Sequence, residues 1–225
     1  MDLHRSMQIT SEDIYEDMCK KIEKLEYMPG QGISENELCK QYNVSRHMVR
    51  GALTRLKQRR LIDVYPQKGT FVSLIDMDYI SDILYLREAI EQEALQRVVQ
   101  LEDVSDLCER LEANIALQKE CSCEGGYSDD FYQLDTEFHG FILQEIKRAN
   151  VNNLIEEPYI HIRRWRNFEI RSADRMYQLI NEHESIVDAI KAKDAVQARA
   201  AMHTHLDTVK RYGESFKEIE KYYFF

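Results

Sequence analysis

The apolar positions of this chain fall into two regimes that meet near residue 75. In the first regime the segments are short and varied. Thr10-Ser11-Glu12-Asp13 has the form of a capping box, and Ile14, Met18, Ile22 and Leu25 follow at helical spacing. Pro29-Gly30 predicts a turn that ends this helix. Ser34-Glu35-Asn36-Glu37 is a second capping-box pattern, opening a short helix with Leu38 and Tyr42 inward. Asn43-Val44 is a tight connection into a third helix, whose inward positions are Val49, Ala52, Leu53 and Leu56. Ser45 is its expected N-cap, with the hydroxyl accepting a first-turn N–H. Residues 61–65 then alternate as a strand, Pro66-Gln67-Lys68-Gly69 is a turn, and residues 70–73 are a second strand. Two short helices on a tight turn followed by a hairpin predict a winged helix-turn-helix.

The second regime is longer and more regular. After a linker at 74–78, amphipathic helices are predicted over about 79–101, 103–120, 128–148, 150–171, 174–192 and 195–220, with Gly125-Gly126 as the glycine-rich break. Pro158 is expected to bend the fourth of these or start it anew. Six consecutive helices with short connections predict an antiparallel bundle. The expected fold is mainly α: a winged helix-turn-helix over 1–75 and an all-helical domain over 76–225.

Charge sharpens this division. The chain of 225 residues carries a formal net charge of −10, which by itself argues against a polyanionic partner. Yet residues 1–75 hold 12 Lys/Arg against 10 Asp/Glu, and residues 76–225 hold 18 against 30. From Arg46 to Lys68 there are seven basic residues and one acidic one. Salt screens charges beyond about 8–10 Å, so DNA in contact meets this local basic field and not the whole-chain sum. No apolar run is long enough to cross a bilayer and no signal peptide is evident, so a cytoplasmic protein without a membrane partner is expected. The five cysteines, at 19, 39, 108, 121 and 123, are odd in number and scattered, as free thiols in a reducing compartment would be.

On the third helix Arg46 and Arg50 stand one turn apart, placing two guanidinium forks near its N-terminal end, where a recognition helix meets base edges and phosphates. Ser45 and His47 would help seat that helix. Lys68 and Gly69 lie at the wing, where a glycine allows close approach to a phosphate or a groove. Basic residues on a helix are commonly only a solvated face. Here the capping box, tight turn, arginine pair, basic segment and wing together point to double-stranded DNA.

Plotted at 100° per residue, the bundle helices carry polar residues on apolar stripes. Asp135 falls within the stripe of Phe131, Leu134, Phe138, Phe141, Ile142 and Ile146, and His139, one turn on, lies at its edge. His183 lies near the centre of the Met176, Leu179, Ile180, Val187 and Ile190 stripe, and His205 near that of Ala198, Met202, Leu206 and Val209. Each alone reads as a hydrogen-bonded core residue. Together, an Asp and three His on inward faces are costly without partners and form a known kind of ligand set for a divalent ion: zinc first, with nickel and manganese as alternatives. His203 points away, His4 and His47 look exposed, and His161 is a weaker candidate. Arg87 and Glu91 form an i,i+4 pair that is either an ordinary helix ion pair or a guanidinium aimed into a cavity to hold a carboxylate effector. Arg163, Arg164 and Arg166, around Trp165, read mostly as a solvated face, with one of them a candidate to serve the cavity. The aromatic end, Tyr222-Tyr223-Phe224-Phe225, either packs or frays.

Pro29-Gly30, Ser34-Glu35-Asn36-Glu37-Leu38, Val44-Ser45-Arg46, Val49-Arg50, Ala52-Leu53, Leu56 and Gly69-Thr70-Phe71-Val72 resemble the GntR family of bacterial winged-helix regulators. Departures fall at His47-Met48, where that family often has Thr-Pro, at Gly51, where Glu is common, and at Arg59-Arg60, where Glu-Gly is frequent. From about 79 to 212 the chain resembles the all-helical FCD ligand domain of the FadR-like subfamily. The motifs are Leu86-Arg87-Glu88-Ala89-Ile90-Glu91, Asp135-Thr136-Glu137-Phe138-His139, Glu182-His183-Glu184-Ser185-Ile186 and Met202-His203-Thr204-His205-Leu206. The resemblance implies a homodimer on a pseudo-palindromic operator, with a metal held by Asp135, His139, His183 and His205 facing an effector cavity. Two rivals stand beside this reading: a metal-dependent, hydrolase-like enzyme using the Asp/His cluster, and a regulator whose metal is purely structural.

Overall fold

A computed structural model describes residues 9–122, 128–170, 173–219 and 221–225. His4, Cys123 and the Gly125-Gly126 break lie outside the described residues. The chain divides into two compact units, Met1–Ile75 with Tyr222–Phe225, and Asp76–Lys221.

The first unit contains α1 (Ser11–Glu23), β1 (Gly32–Ile33), α2 (Glu35–Tyr42), α3 (Arg46–Gln58), β2 (Ile62–Tyr65) and β3 (Gly69–Val72). Thr10 and Asp13 close the capping box: the Asp13 N–H donates to Thr10 Oγ1 at 3.2 Å, and the Thr10 N–H to Asp13 Oδ2 at 2.7 Å. Ile14, Met18 and Ile22 are fully buried, as their spacing predicts. Leu25 is not on that stripe. The helix ends at Glu23, and Leu25 turns left-handed at φ 61°, where the N–H groups of Leu25 and Glu26 return to the carbonyls of Ile22 and Lys21. The helix thus stops before Pro29-Gly30 is reached.

At the connection between α2 and α3, Asn43 adopts the left-handed conformation (φ 53°), and the Val44 N–H donates to the Cys39 carbonyl. Asn tolerates that backbone better than most residues, which is why two residues suffice to reverse the chain. Val49, Ala52, Leu53 and Leu56 are buried beneath α3. β2 and β3 form the wing hairpin, with Tyr65 opposite Gly69 and Ile62 opposite Val72. Gly69, at φ 119°, therefore opens β3, and the tip itself is Pro66-Gln67-Lys68. β1 pairs antiparallel with the other edge of β3, giving the order β1-β3-β2. Two residues carry no alternation, so nothing in the local sequence announces β1.

The second unit contains α4 (Met77–Val98), α5 (Ser105–Ser122), α6 (Asp129–Glu145), α7 (Asn150–Glu169), α8 (Ala173–Lys191) and α9 (Ala195–Ile219). α4 packs on α9 and α6, α5 on α6 and α8, and α8 on α9. Pro158 lies inside a continuous α7 and does not restart it. The turn beyond it buries Trp165, Phe168 and Ile160, and that burial offsets the roughly 3 kcal/mol cost of an internal proline. Arg164 and Arg166 are each 1% exposed, so this stretch of α7 is not a solvated face. The C-terminal residues do not fray: Phe224 pairs in parallel with Ile75, whose N–H donates to the Tyr223 carbonyl at 2.8 Å. No described helix is long and apolar enough to cross a membrane.

Candidate metal centre and nucleic-acid interface

On the first unit Ser45, Arg46, His47 and Arg50 are all exposed at the start of α3, and Lys68 and Gly69 are exposed on the wing. Ser45 occupies the N-cap position, but its side chain makes no capping hydrogen bond, contrary to expectation. Its hydroxyl is left to other partners. Both arginines are steadied by α2: Arg46 Nη2 donates to Asn36 Oδ1 at 2.9 Å, and Arg50 Nε sits 3.1 Å from Glu35 Oε2. The sequence reading missed this bracing, because Glu35 and Asn36 were assigned only to a cap. An exposed pair of this kind is worth about 0–1 kcal/mol, so DNA phosphates can displace it. Gly51, a departure from the GntR pattern, also has a local reason. A Cβ there would lie 2.5 Å from Ser11 Oγ, which donates to the Met48 carbonyl at 3.0 Å. The start of α1 is seated against α3 at that point.

In the second unit Asp135 and His139 on α6, His183 on α8 and His205 on α9 converge. Each offers one ligand atom, and these atoms lie within 4.8 Å of one another. All four residues are buried, including His139, which lies inside the stripe and not at its edge. Asp135 Oδ1 and the Nε2 atoms of all three histidines are buried with no hydrogen-bond partner. Each such atom costs about 1–3 kcal/mol if left unsatisfied.

The opposite ring nitrogens explain the convergence. His139 Nδ1 lies 2.6 Å from Glu91 Oε2, His183 Nδ1 2.8 Å from Gln118 Oε1, and His205 Nδ1 3.0 Å from Glu182 Oε2. A carboxylate or amide oxygen only accepts, so each Nδ1 donates, and a ring holding its one proton there turns an Nε2 lone pair to the centre. Gln118 in turn donates to Asn114 (2.7 Å), which donates to the Leu134 carbonyl beside Asp135. Burial, reinforced by neighbouring imidazoles and guanidinium groups, pushes the His183 and His205 pKa values well below the ordinary histidine range. Both rings are therefore neutral at physiological pH. Burial would raise Asp135, but Arg166 and the nearby rings outweigh it and keep the carboxylate ionised. Three imidazole Nε2 atoms and one carboxylate oxygen aimed at a common point fit a divalent cation. Of these outer partners, Gln118 and Glu182 were missed by sequence reading. Their signal was present: Asn114 and Gln118 sit on the buried face of α5 with Leu107, Leu111 and Ile115.

Arg87 and Glu91 form a buried pair at 2.5 Å, not a surface ion pair. Burial pushes Glu91 up, yet Arg87 and His139 outweigh it and hold the carboxyl at about 2. Both residues, with Asp135, His139, Tyr159 and Arg166, line a cavity of about 310 Å³. His183 and His205 do not line it, so the cluster presents its α6 side to the cavity. His161 packs edge-on to Tyr79, at 5.0 Å, and is not in the cluster. His203 is exposed and pairs with Glu88.

A winged helix joined to an all-helical unit, with a buried Asp/His cluster beside a cavity, defines a ligand-responsive class of DNA-binding protein. Comparison with known proteins places the chain within that class. Residues 10–72 match the gntR family of bacterial regulatory proteins, and residues 82–208 match the FCD domain. The chain belongs to the GntR family and carries an FCD ligand-binding domain; it is a transcriptional regulator and not an enzyme. An HTH-type transcriptional regulator in an unstable DNA locus of Streptomyces ambofaciens is 32% identical over 93% of this chain and 84% of its own length. The HTH-type transcriptional repressor RspR of Escherichia coli K12 is 28% identical over 95% and 92%. Among solved structures, a GntR regulator from Rhodococcus sp. RHA1 superposes with a TM-score of 0.68 at 20% identity, covering 89% of this chain and 95% of that one. McbR/YncC of E. coli superposes with a TM-score of 0.65 at 16% identity, covering 92% and 98%. At these identities the structural likeness shows the fold.

Proposed function

We propose that this regulator is a cytoplasmic homodimer whose operator affinity is set by a small carboxylate bound at a divalent metal in the helical unit. Asp135, His139, His183 and His205 would hold the ion, with zinc favoured by the N/O ligand set and nickel or manganese as alternatives. The ion would supply a Lewis-acidic anchor for an oxygen ligand. Arg87, fixed by Glu91, steadies the carboxylate from the cavity wall. Arg46 and Arg50 contact bases or phosphates, Ser45 and His47 help seat α3, and Lys68 and Gly69 bring the wing to the adjacent groove. The effector acts only to the extent that it binds the DNA-competent and DNA-incompetent arrangements differently.

The observation that carries this reading is the set of four buried ligand atoms without partners, three of them on rings already oriented from behind. The test is elemental analysis of the purified full chain after zinc loading and dialysis, alongside operator binding with and without chelator. About one ion per chain is expected, and none in the His183→Ala, His205→Ala double variant. A zinc-loaded wild type that retains no ion would sink the reading. A second reading makes the ion purely structural, because its ligands come from three helices, α6, α8 and α9. Chelation would then lower the melting temperature, while no carboxylate would raise it further with metal present.

A further inference from the structure

We propose that the effector is a small acid with two separate acidic groups, a dicarboxylate in its simplest form, whose second group is held by Arg166. The proposal rests on the cluster being a metal site, and it adds what the ligand must carry to be bound there.

Two observations support it. First, among the described residues the helical unit buries four arginines (Arg87, Arg164, Arg166, Arg175) and four carboxylates (Glu91, Asp135, Glu169, Glu182). Their formal charges cancel. A divalent ion adds two positive charges that no buried side chain offsets, and uncompensated buried charge is expensive. A monocarboxylate restores half the balance; a dianion restores all of it.

Second, one guanidinium is positioned to take the second group. Arg166 is 1% exposed and lines the cavity, and neither of its terminal nitrogens has a hydrogen-bond partner. The other arginines lining the cavity are already engaged: Arg87 Nε is on Glu91, and Arg163 Nη1 on the Tyr132 hydroxyl at 2.9 Å. Arg175, whose terminal nitrogens also lack a hydrogen-bond partner, does not line the cavity. Arg166 acts on Asp135, Glu169 and Glu182, with neither terminal nitrogen hydrogen-bonded to any of them. Once Asp135 is committed to an ion, that part of its counter-charge is spent. A planar guanidinium fork with both terminal nitrogens open matches a carboxylate in two-point contact. The cavity of about 310 Å³ is roomy enough for a four- to six-carbon acid.

The experiment is calorimetric titration of the zinc-loaded full chain with succinate, malate and glutarate, each against its half-amide, and with inorganic phosphate. The half-amide keeps shape and one charge while deleting the other. At least one diacid is expected to bind about tenfold or more tighter than its half-amide, and Arg166→Gln is expected to erase that preference while keeping its zinc. Half-amides binding as tightly as diacids, phosphate binding tighter than every diacid, or no binding by zinc-loaded protein would each overturn the two-group assignment. Zinc content, measured on the same samples, separates this failure from failure of the metal reading itself. Should Arg166→Gln not fold, the diacid and half-amide comparison on wild type decides alone.

Discussion

Individual side chains have opposite settings in the two units. Arg46 and Arg50 are exposed and held by weak, replaceable partners, whereas the cluster histidines are buried and held by strong ones. Arg46→Ala or Arg50→Ala should cost about 1–3 kcal/mol in operator binding with folding nearly intact. Operator titrations at several salt concentrations check this, and unchanged affinity in both variants would reject α3 as the recognition helix. Glu35→Gln removes the carboxylate facing Arg50. It should strengthen binding to non-specific DNA several-fold, on the order of one fewer repelled phosphate contact, and so narrow the gap between operator and random sequence. At the metal centre, Glu91→Gln keeps an acceptor for His139 but removes the charge that Arg87 balances. Metal affinity should fall about 10–100-fold, as for other outer partners of ligating histidines. Competition with a chromogenic chelator measures it; unchanged affinity would reduce Glu91 to a packing role.

Secondary-structure elements fail or hold at their ends. α3 begins without a side-chain cap on Ser45, so Ser45→Ala should change stability by only a few tenths of a kcal/mol, not the ~1 kcal/mol of a working N-cap. If operator binding nevertheless weakens, Ser45 meets DNA; if thermal stability drops by a full N-cap's worth, the hydroxyl caps the helix after all. The wing depends on its backbone. Gly69 sits at φ 119°, where other residues are strained by about 1–3 kcal/mol. The space around it is ordinary, with Phe71 3.7 Å from an added Cβ. Gly69→Ala should therefore loosen the hairpin through strain and not through a clash, which hydrogen exchange of the Tyr65–Gly69 pairing would register.

At the scale of the molecule, two units with separate chemistries are joined through one chain. The last residues of that chain return to the first unit, where Phe224 pairs with Ile75. Both the GntR and the FCD segments match families of transcriptional regulators, which removes the enzyme alternative and leaves the role of the Asp/His cluster as the live question. Light scattering should find a homodimer at micromolar concentration, as the proposed reading of a pseudo-palindromic operator by two copies of α3 requires.

Periodicity and caps alone determined the helices of both units, the helix-turn-helix and the hairpin. Those signals are local: a capping pair lies three residues apart, a helical face repeats every three or four, and the left-handed Asn43 reverses the chain within its short connection. The same periodicity placed Asp135, His183 and His205 inward, because burial of an apolar stripe carries its polar members along. What the tertiary structure decided lies between elements. β1 exists only as the partner of β3. Arg166 is buried only because α7 packs on more than one side. Glu91, Gln118 and Glu182 orient the three rings from other helices, at sequence separations of 48, 65 and 23 residues. A stripe specifies that a side chain faces inward. Which atoms it meets there depends on how the helices pack, and that packing turns four inward residues into one site.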